Sequence, residues 1–175
     1  MGTLAYLWDR DRDCVLMVLR NARPDDEHRG KYNGLGGKLE PGEDIVAGIR
    51  REIAEEAQVE VTAMSLRGTV NWPGFGPNGE DWFGFVFLVE GWSGEPPAAN
   101  VEGTLHWIER SRLLQACSED PERRRAADLA MWEGDRWFLP LVFDGDDRAF
   151  HGVMPYHQGR PQGWTVQRLA SSANR

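Results

Sequence analysis

Residues 37–59 read GKLEPGEDIVAGIRREIAEEAQV, with glycine at one end and a run dense in carboxylates at the other. Asp44, just behind Pro41 and Gly42, is an N-cap candidate, and Ile45, Val46, Ile49, Ile53 and Ala57 recur at three- and four-residue steps. The spacing therefore predicts a helix with one apolar stripe. At about 100° per residue, Glu52, Glu55 and Glu56 fall inside an arc of about 100°, with Gly48 in the same arc one turn earlier. Part of this acidic cluster lies at the edge of the buried stripe, where like charges repel unless something neutralises them. A hard divalent cation does so, because carboxylate oxygens suit magnesium and magnesium in turn binds phosphate oxygens. The alternative for any lone run of glutamates is a solvated face on which Arg50 and Arg51 pair with them at helical spacing.

Composition narrows the class. The 175 residues, 41% hydrophobic and 27% charged, fit one globular domain spanning 1–175 with enough length for a sizeable core. A net charge of -8 argues against a surface for nucleic-acid polymers, which Lys and Arg patches hold. Cys14 and Cys117 stand far apart without metal-ligand spacing, which suits a reducing, cytoplasmic setting, and Cys14 reads as a strand core residue. No apolar run approaches 18 residues and the first residues have no signal-peptide layout, so no membrane association is expected. Some of the eight tryptophans are candidates to stack on a base.

Along the chain, Thr3 to Trp8 and Cys14 to Leu19 read as a hairpin of two strands. The polar stretch Asn21 to Lys31 leads into Tyr32-Asn33-Gly34-Leu35-Gly36-Gly37, whose glycines let backbone approach a ligand or metal closely. After the acidic helix, strands are expected at Val59 to Thr62, Ser65 to Asn71, Trp82 to Glu90 (central in the sheet) and Leu105 to Ile108. Helices are expected at Glu109 to Cys117 and Pro121 to Met131, the latter with Arg123, Arg124 and Arg125 on a solvated face. An aromatic segment, Met131 to Pro140, precedes two final strands, Ala149 to Tyr156 and Gly163 to Leu169.

Gly37, Glu43, Arg51, Glu52, Ile53, Glu55, Glu56 and Val59 stand at the offsets of the Nudix hydrolase signature, which the stretch resembles; Gln58 departs from it, where the family usually has Gly. The resemblance implies an α/β fold, a mixed central β-sheet sandwiched between helices, and nucleophilic substitution at a phosphorus of a nucleoside diphosphate derivative. Three further pieces resemble the MutT-related, human-type 8-oxo-dGTP diphosphatases: Tyr32 to Lys38, Met131-Trp132 with Asp135 and Pro140, and Phe150-His151-Gly152. That likeness implies hydrolysis of oxidised purine nucleoside triphosphates to the monophosphate and pyrophosphate. It also implies that Asn33 and Asp135 bond the purine edge, Trp132 stacks on its face, and Trp72 forms an aromatic wall. Gly36 or Gly37 lends a carbonyl, and Glu52, Glu55, Glu56 and Glu102 lend carboxylates, to Mg2+ or alternatively Mn2+. Arg51 holds the carboxylates by charge-assisted bonds, and Lys38 or Arg23 offsets phosphate charge. The general base among the glutamates is left open.

Local alternatives exist for several of these: Asn33 as a turn former, Asp135 as the cap of a short helix, Glu102 as a solvated loop residue. Where the likeness calls for two neighbouring aspartates after the Trp, this chain has Gly134 and Asp135, and the stretch Arg110 to Ala130 is longer than the corresponding connection. Rival readings are another Nudix substrate (a dinucleoside polyphosphate, ADP-ribose or an mRNA cap) and a non-catalytic nucleotide-binding regulator. Intact Glu52, Glu55 and Glu56, and no visible DNA-binding segment, argue against the last. The residues specify no oligomeric state.

Overall fold

A computed structural model describes residues 1–26 and 29–168. The hairpin forms as expected, β1 (Gly2–Asp9) antiparallel to β2 (Cys14–Arg20), with a short β3 (Tyr32–Asn33) on the outer side of β2. Helix α1 (Ile45–Ala57) follows. Then come β4 (Glu60–Trp72), β5 (Trp82–Ser93), β6 (Gly103–Glu109), α2 (Arg110–Ala116), α3 (Pro121–Ala127) and α4 (Asp135–Phe143). The described chain ends with β7 (Phe150–Val153), the small hairpin β8 (Tyr156–His157) and β9 (Arg160–Pro161), and β10 (Thr165–Arg168). The sheet runs β10-β7-β4-β5-β1-β2-β3, and β6 also pairs with β2. It is mixed, because β1 runs parallel to β5, and β4 to β7, while the other pairs are antiparallel. As expected, β5 is central.

The strands are apolar on both faces because both faces are covered. Ala5, Leu7, Leu16, Val18, Phe87 and Val89 point to one side and meet Ile49, Ile53 and Ala57 of α1. Tyr6, Val15, Met17, Val86 and Leu88 point to the other and meet Leu113 of α2 and Phe138, Leu139 and Val142 of α4. Period-two alternation thus builds the helix-sheet-helix sandwich. Arg67, buried on β4, fixes α4 from below: its guanidinium donates to the carbonyls of Val142 at 3.0 Å and Asp146 at 2.6 Å and to the Asp144 carboxylate at 3.2 Å. A buried charge is tolerated there because its donors are paired.

Several boundaries differ from expectation. The two strands expected at Val59 to Thr62 and Ser65 to Asn71 are one strand, β4, whose register slips at Val61/Ala63, Ala63/Met64 and Leu66/Gly68. Bulges absorb the polar interruption without ending the ladder. Helix α3 stops at Ala127, short of Met131, since Asp128 turns left-handed (φ 46°) and Arg112 donates to the carbonyls of Ala127 and Asp128 at 2.7 and 2.6 Å. Pro155, which has no N–H for a ladder, separates β7 from β8 in place of one strand to Tyr156. The last strand covers Thr165–Arg168, and Leu169 lies outside the described residues. Cys14 is half-buried at the start of β2 rather than in the core.

Helix α1 begins as its sequence dictates: the Asp44 side chain accepts from the N–H of Val46 at 2.9 Å and Ala47 at 3.2 Å. It ends on Gln58 at φ 54°, ψ 33°, the left-handed conformation that glycine adopts without penalty. Gln58→Gly is therefore expected to raise unfolding stability by about 1 kcal/mol, measured by urea denaturation; an unchanged or lowered midpoint refutes the strain.

Candidate active site

The site is built where α1 meets the glycine segment. Leu35 pairs with Ala5 (N–H to carbonyl at 2.6 and 2.9 Å), and Thr3 N–H donates to Gly37 O at 2.8 Å, so residues 34–37 lie flat along β1. The fit leaves no room for side chains. At Gly36, φ is +133° and a Cβ would come within 2.3 Å of Thr3 O; at Gly37 it would come within 2.6 Å of a Glu52 carboxylate oxygen. Bare backbone therefore touches the carboxylates directly. Gly36 N–H donates to Glu56 Oε2 at 2.8 Å.

The three helix glutamates differ in depth. Glu56 is buried (7% exposed), the Glu52 side chain is 15% exposed and the Glu55 side chain 61% exposed. Burial, then the neighbouring Glu102 and Glu52 charges, push the Glu56 carboxyl up to about 8 against the lowering effect of the Gly36 N–H. Burial also raises Glu52, opposed by Arg51. Arg51 ties the rim together. Its Nε and Nη2 donate to Glu43 at 2.9 and 3.1 Å, its Nη1 to Glu52 at 3.0 Å and Glu55 at 3.4 Å, and its Nη2 to Lys38 O at 3.3 Å. The first of these, the bond to Glu43, holds that carboxyl below its usual range.

Glu102 reaches the same place from the loop before β6, close enough to bond Glu56. Arg20 holds it by an ion pair and also binds Asp26 at 2.8 Å. Asn100 pins the loop: its Nδ2 donates to Glu56 O at 3.1 Å and its Oδ1 accepts from Glu102 N–H at 2.9 Å. Among the described residues, no three carboxylate, imidazole or thiolate groups stand at ligating distance from one point. The donor set nonetheless suits a hard divalent cation, since Glu52, Glu56 and Glu102 offer oxygens only and the Glu102 charge raises the proton affinity of both Glu52 and Glu56.

Beside the carboxylates opens a cleft of about 370 Å³, lined by Asn33, Trp132, Asp135, Trp72, Phe75 and Tyr156, with Gly36, Gly37, Lys38, Arg20 and Glu102 at its other end. Asn33, Lys38, Trp72, Glu102, Trp132 and Asp135 are thus brought together. Arg23 is not; it is exposed on its loop, and the cation at the cleft is Arg20, which sequence reasoning left unassigned between the strand ending at Leu19 and the polar stretch from Asn21. Asn100 was missed for a similar reason, since a loop asparagine between Pro and Gly carries no signal of its own. Asp135 caps nothing: it is the first residue of α4, after Gly134 at the cap position, and its side chain makes no capping bond. Burial, partly offset by Lys31, pushes its carboxyl up to about 7. It remains half-enclosed, facing the cleft. Lys31 Nζ stands 3.5 Å from the centre of the Trp132 ring, and Tyr32 N–H holds Ala130 O at 2.7 Å, so the longer stretch Arg110 to Ala130 returns to dock against this wall. The remaining segment, Phe150-His151-Gly152, packs: Phe150 covers Gly68, Trp164 covers Gly152, and His151 Nδ1 bonds Thr69 Oγ1 at 2.8 Å.

A NUDIX domain model matches residues 1–132. The chain is 29% identical over 161 residues, 87% of its length and 89% of the relative's, to the uncharacterized Nudix hydrolase YvcI of Bacillus subtilis (strain 168). It is 31% identical over 113 residues, 65% of its length and 63% of the relative's, to the oxidized purine nucleoside triphosphate hydrolase of Danio rerio. Among solved structures, the MutT protein from Bacillus halodurans superposes with a TM-score of 0.73 at 25% identity, covering 94% of this chain and 95% of that one. With the signature residues lying along α1 and its glycine segment, and a family model spanning three quarters of the chain, this protein belongs to the Nudix hydrolases.

Proposed function

We propose that this Nudix hydrolase cleaves oxidised purine nucleoside triphosphates, 8-oxo-dGTP above all, to the monophosphate and pyrophosphate with magnesium, in the cytoplasm. The observation that carries the reading is the sharing of one cleft by Asn33, Trp132 and Asp135 beside the carboxylate helix. Nudix hydrolases act on small nucleotides and generally use divalent metal ions. Magnesium, when bound, supplies counter-charge for the phosphates and acidifies water. Glu52, Glu55, Glu56 and Glu102 would hold it with a carbonyl from Gly36 or Gly37. Arg51 keeps Glu52 and Glu43 in place, and a glutamate of the cluster accepts the proton of the attacking water. Lys38 and Arg20, both lining the cleft, offset charge on the departing pyrophosphate.

At the base end, Trp132 stacks on the purine, its outer side backed by Lys31. Asn33 offers an acceptor to the N7–H that oxidation creates, where normal guanine presents a lone pair. Ionised, Asp135 accepts from N1–H and the 2-amino group.

Turnover of 8-oxo-dGTP against dGTP with magnesium tests the assignment. Wild type is expected to favour the oxidised form by about tenfold or more, and Asn33→Ala to lower that ratio, since a buried acceptor deprived of its partner costs about 1 to 3 kcal/mol; equal turnover of both by wild type defeats it. Glu56→Gln is expected to fold and to lose turnover by about a hundredfold or more at saturating magnesium. Near-wild-type turnover removes Glu56 from the metal site.

Asp135→Asn separates readout from stability. The folded carboxyl titrates near 7, above an unfolded value of about 3.9. In that window the native state binds more protons than the unfolded state, so wild-type stability falls as pH rises from about 4 to 7 and is level above. The variant lacks this loss. It is expected to match wild type near pH 4 and exceed it above pH 7, by at most about 4 kcal/mol, while binding 8-oxo-dGTP less tightly. A stability gap independent of pH contradicts the raised carboxyl.

A further inference from the structure

Gly134 carries more information than a missing aspartate. A Cβ at this position would stand 2.4 Å from Met154 Sδ and 2.7 Å from Tyr156 Oη, so no side chain fits and the phenol oxygen lies against the bare backbone next to Asp135. Tyr156 lines the cleft with Asp135 and Trp132. Its ring is fixed by the edge of Phe75, at 4.9 Å between centres and 80° between planes. Its backbone is fixed as well, by N–H donation to Pro73 O at 2.7 Å and by the β8–β9 pairing with Pro161. Yet among the described residues the hydroxyl has no hydrogen-bond partner, although the residue is only 9% exposed.

We infer that the Tyr156 hydroxyl is a base-reading group that, paired with Asp135, restricts the cleft to 6-oxo purines. This deepens the proposed function and rests on the purine lying in that cleft. Burial first, and then the charges of Asp135 and Glu133, push the phenol above its usual range, so it keeps its proton at every working pH and always has one to donate. A guanine-type edge presents O6 as acceptor beside N1–H as donor; Tyr156 donates to the first and Asp135 accepts from the second. An adenine-type edge reverses both positions, with a 6-amino donor and an N1 acceptor. Against it, the ionised carboxylate meets a lone pair, and even where Asp135 takes up a proton and donates to N1 the phenol must still turn its proton away from the 6-amino group. The second nearby phenol, Tyr6, also borders the cleft and is likewise unpartnered, but at 0% exposure it lies behind the residues that face the opening, which leaves Tyr156 as the more accessible hydroxyl.

Tyr156→Phe removes the oxygen and leaves the ring, its Phe75 contact and its β8 backbone in place. Specificity constants are measured for 8-oxo-dGTP, 8-oxo-dATP, dGTP and dATP. The variant is expected to lose about tenfold or more on the two guanine nucleotides and little on the two adenine ones, with the thermal midpoint unchanged or higher. An unaltered guanine-to-adenine ratio overturns the inference, as does an equal loss on all four, which is the mark of a structural role. Because the ratio is read on the normal pair as well, a wild type indifferent to oxidation defeats the sanitising reading while Tyr156→Phe still decides on the hydroxyl.

Discussion

The buried contact between the Glu56 carboxylate and the Gly36 N–H is the constraint on which the rest of this structure depends. It requires α1 to approach a strip of backbone without side chains, and that strip must be held flat, which the paired bonds of Ala5 with Leu35 and Thr3 with Gly37 achieve. Once the helix is seated there, its apolar face has no freedom. Ile49, Ile53 and Ala57 are fully enclosed on the sheet, and a Cβ at Gly48 would lie 2.4 Å from Leu39 Cδ2 and 3.0 Å from Glu43 Oε2, so any larger residue there requires Leu39 to shift. The same seat is electrostatically unfavourable. Several carboxylates are gathered in one place, and Arg51 on the rim and Arg20 on Glu102 relieve only part of their repulsion, so the cluster costs stability that the two cores must offset.

That seat was legible in the sequence to a fine degree. Taking Ile49 and Ile53 as the centre of the buried stripe, a helical wheel puts Glu56 within about 40° of it, Glu52 about 80° away and Glu55 about 140° away. The observed exposures fall in the same order, from the buried Glu56 to the 61% exposed Glu55. Asp44 as cap and Gln58 as the strained exit were readable for the same reason: helix ends obey local rules that a few residues encode. The hairpin and the central β5 followed from unbroken apolar runs.

What was not legible depends on residues distant in the chain. Arg20 and Arg23 are three positions apart and chemically identical, and only the arrival of Glu102, from the loop that leads into the neighbouring strand β6, decides that Arg20 is the one at the cleft. Strand β4 continues through Met64 and Ser65 because β5 runs alongside to Ser93 and lets the ladder bulge; no local pattern records that. In the sequence, Gly134 stands only as a departure from the paired aspartates of the likeness. In space it is the consequence of Tyr156 and Met154 occupying the volume, two residues far along the chain that meet it only after β7 has joined the sheet.

These distant meetings also explain how an acidic protein holds an acidic ligand. The net charge of -8 repels a nucleotide at long range, but ions at physiological strength screen fields beyond about 8 Å. Inside that distance the cleft is divided. Its floor is acidic and calls for a metal's counter-charge, whereas its far wall is aromatic, with Trp72, Phe75, Trp132 and Tyr156 around a carboxyl that titrates near 7. Affinity for the base then rests on stacking and matched hydrogen bonds, which salt does not weaken, and the charged chemistry is confined to the phosphate end. Separation of the two is a matter of topology: α1 is packed on one face of the sheet and α4 on the other, and the cleft lies where the glycine segment lets both reach the edge of β1. On the proposed reading, a substitution at the aromatic wall therefore retunes which base is accepted without disturbing the carboxylates at the cleft's other end.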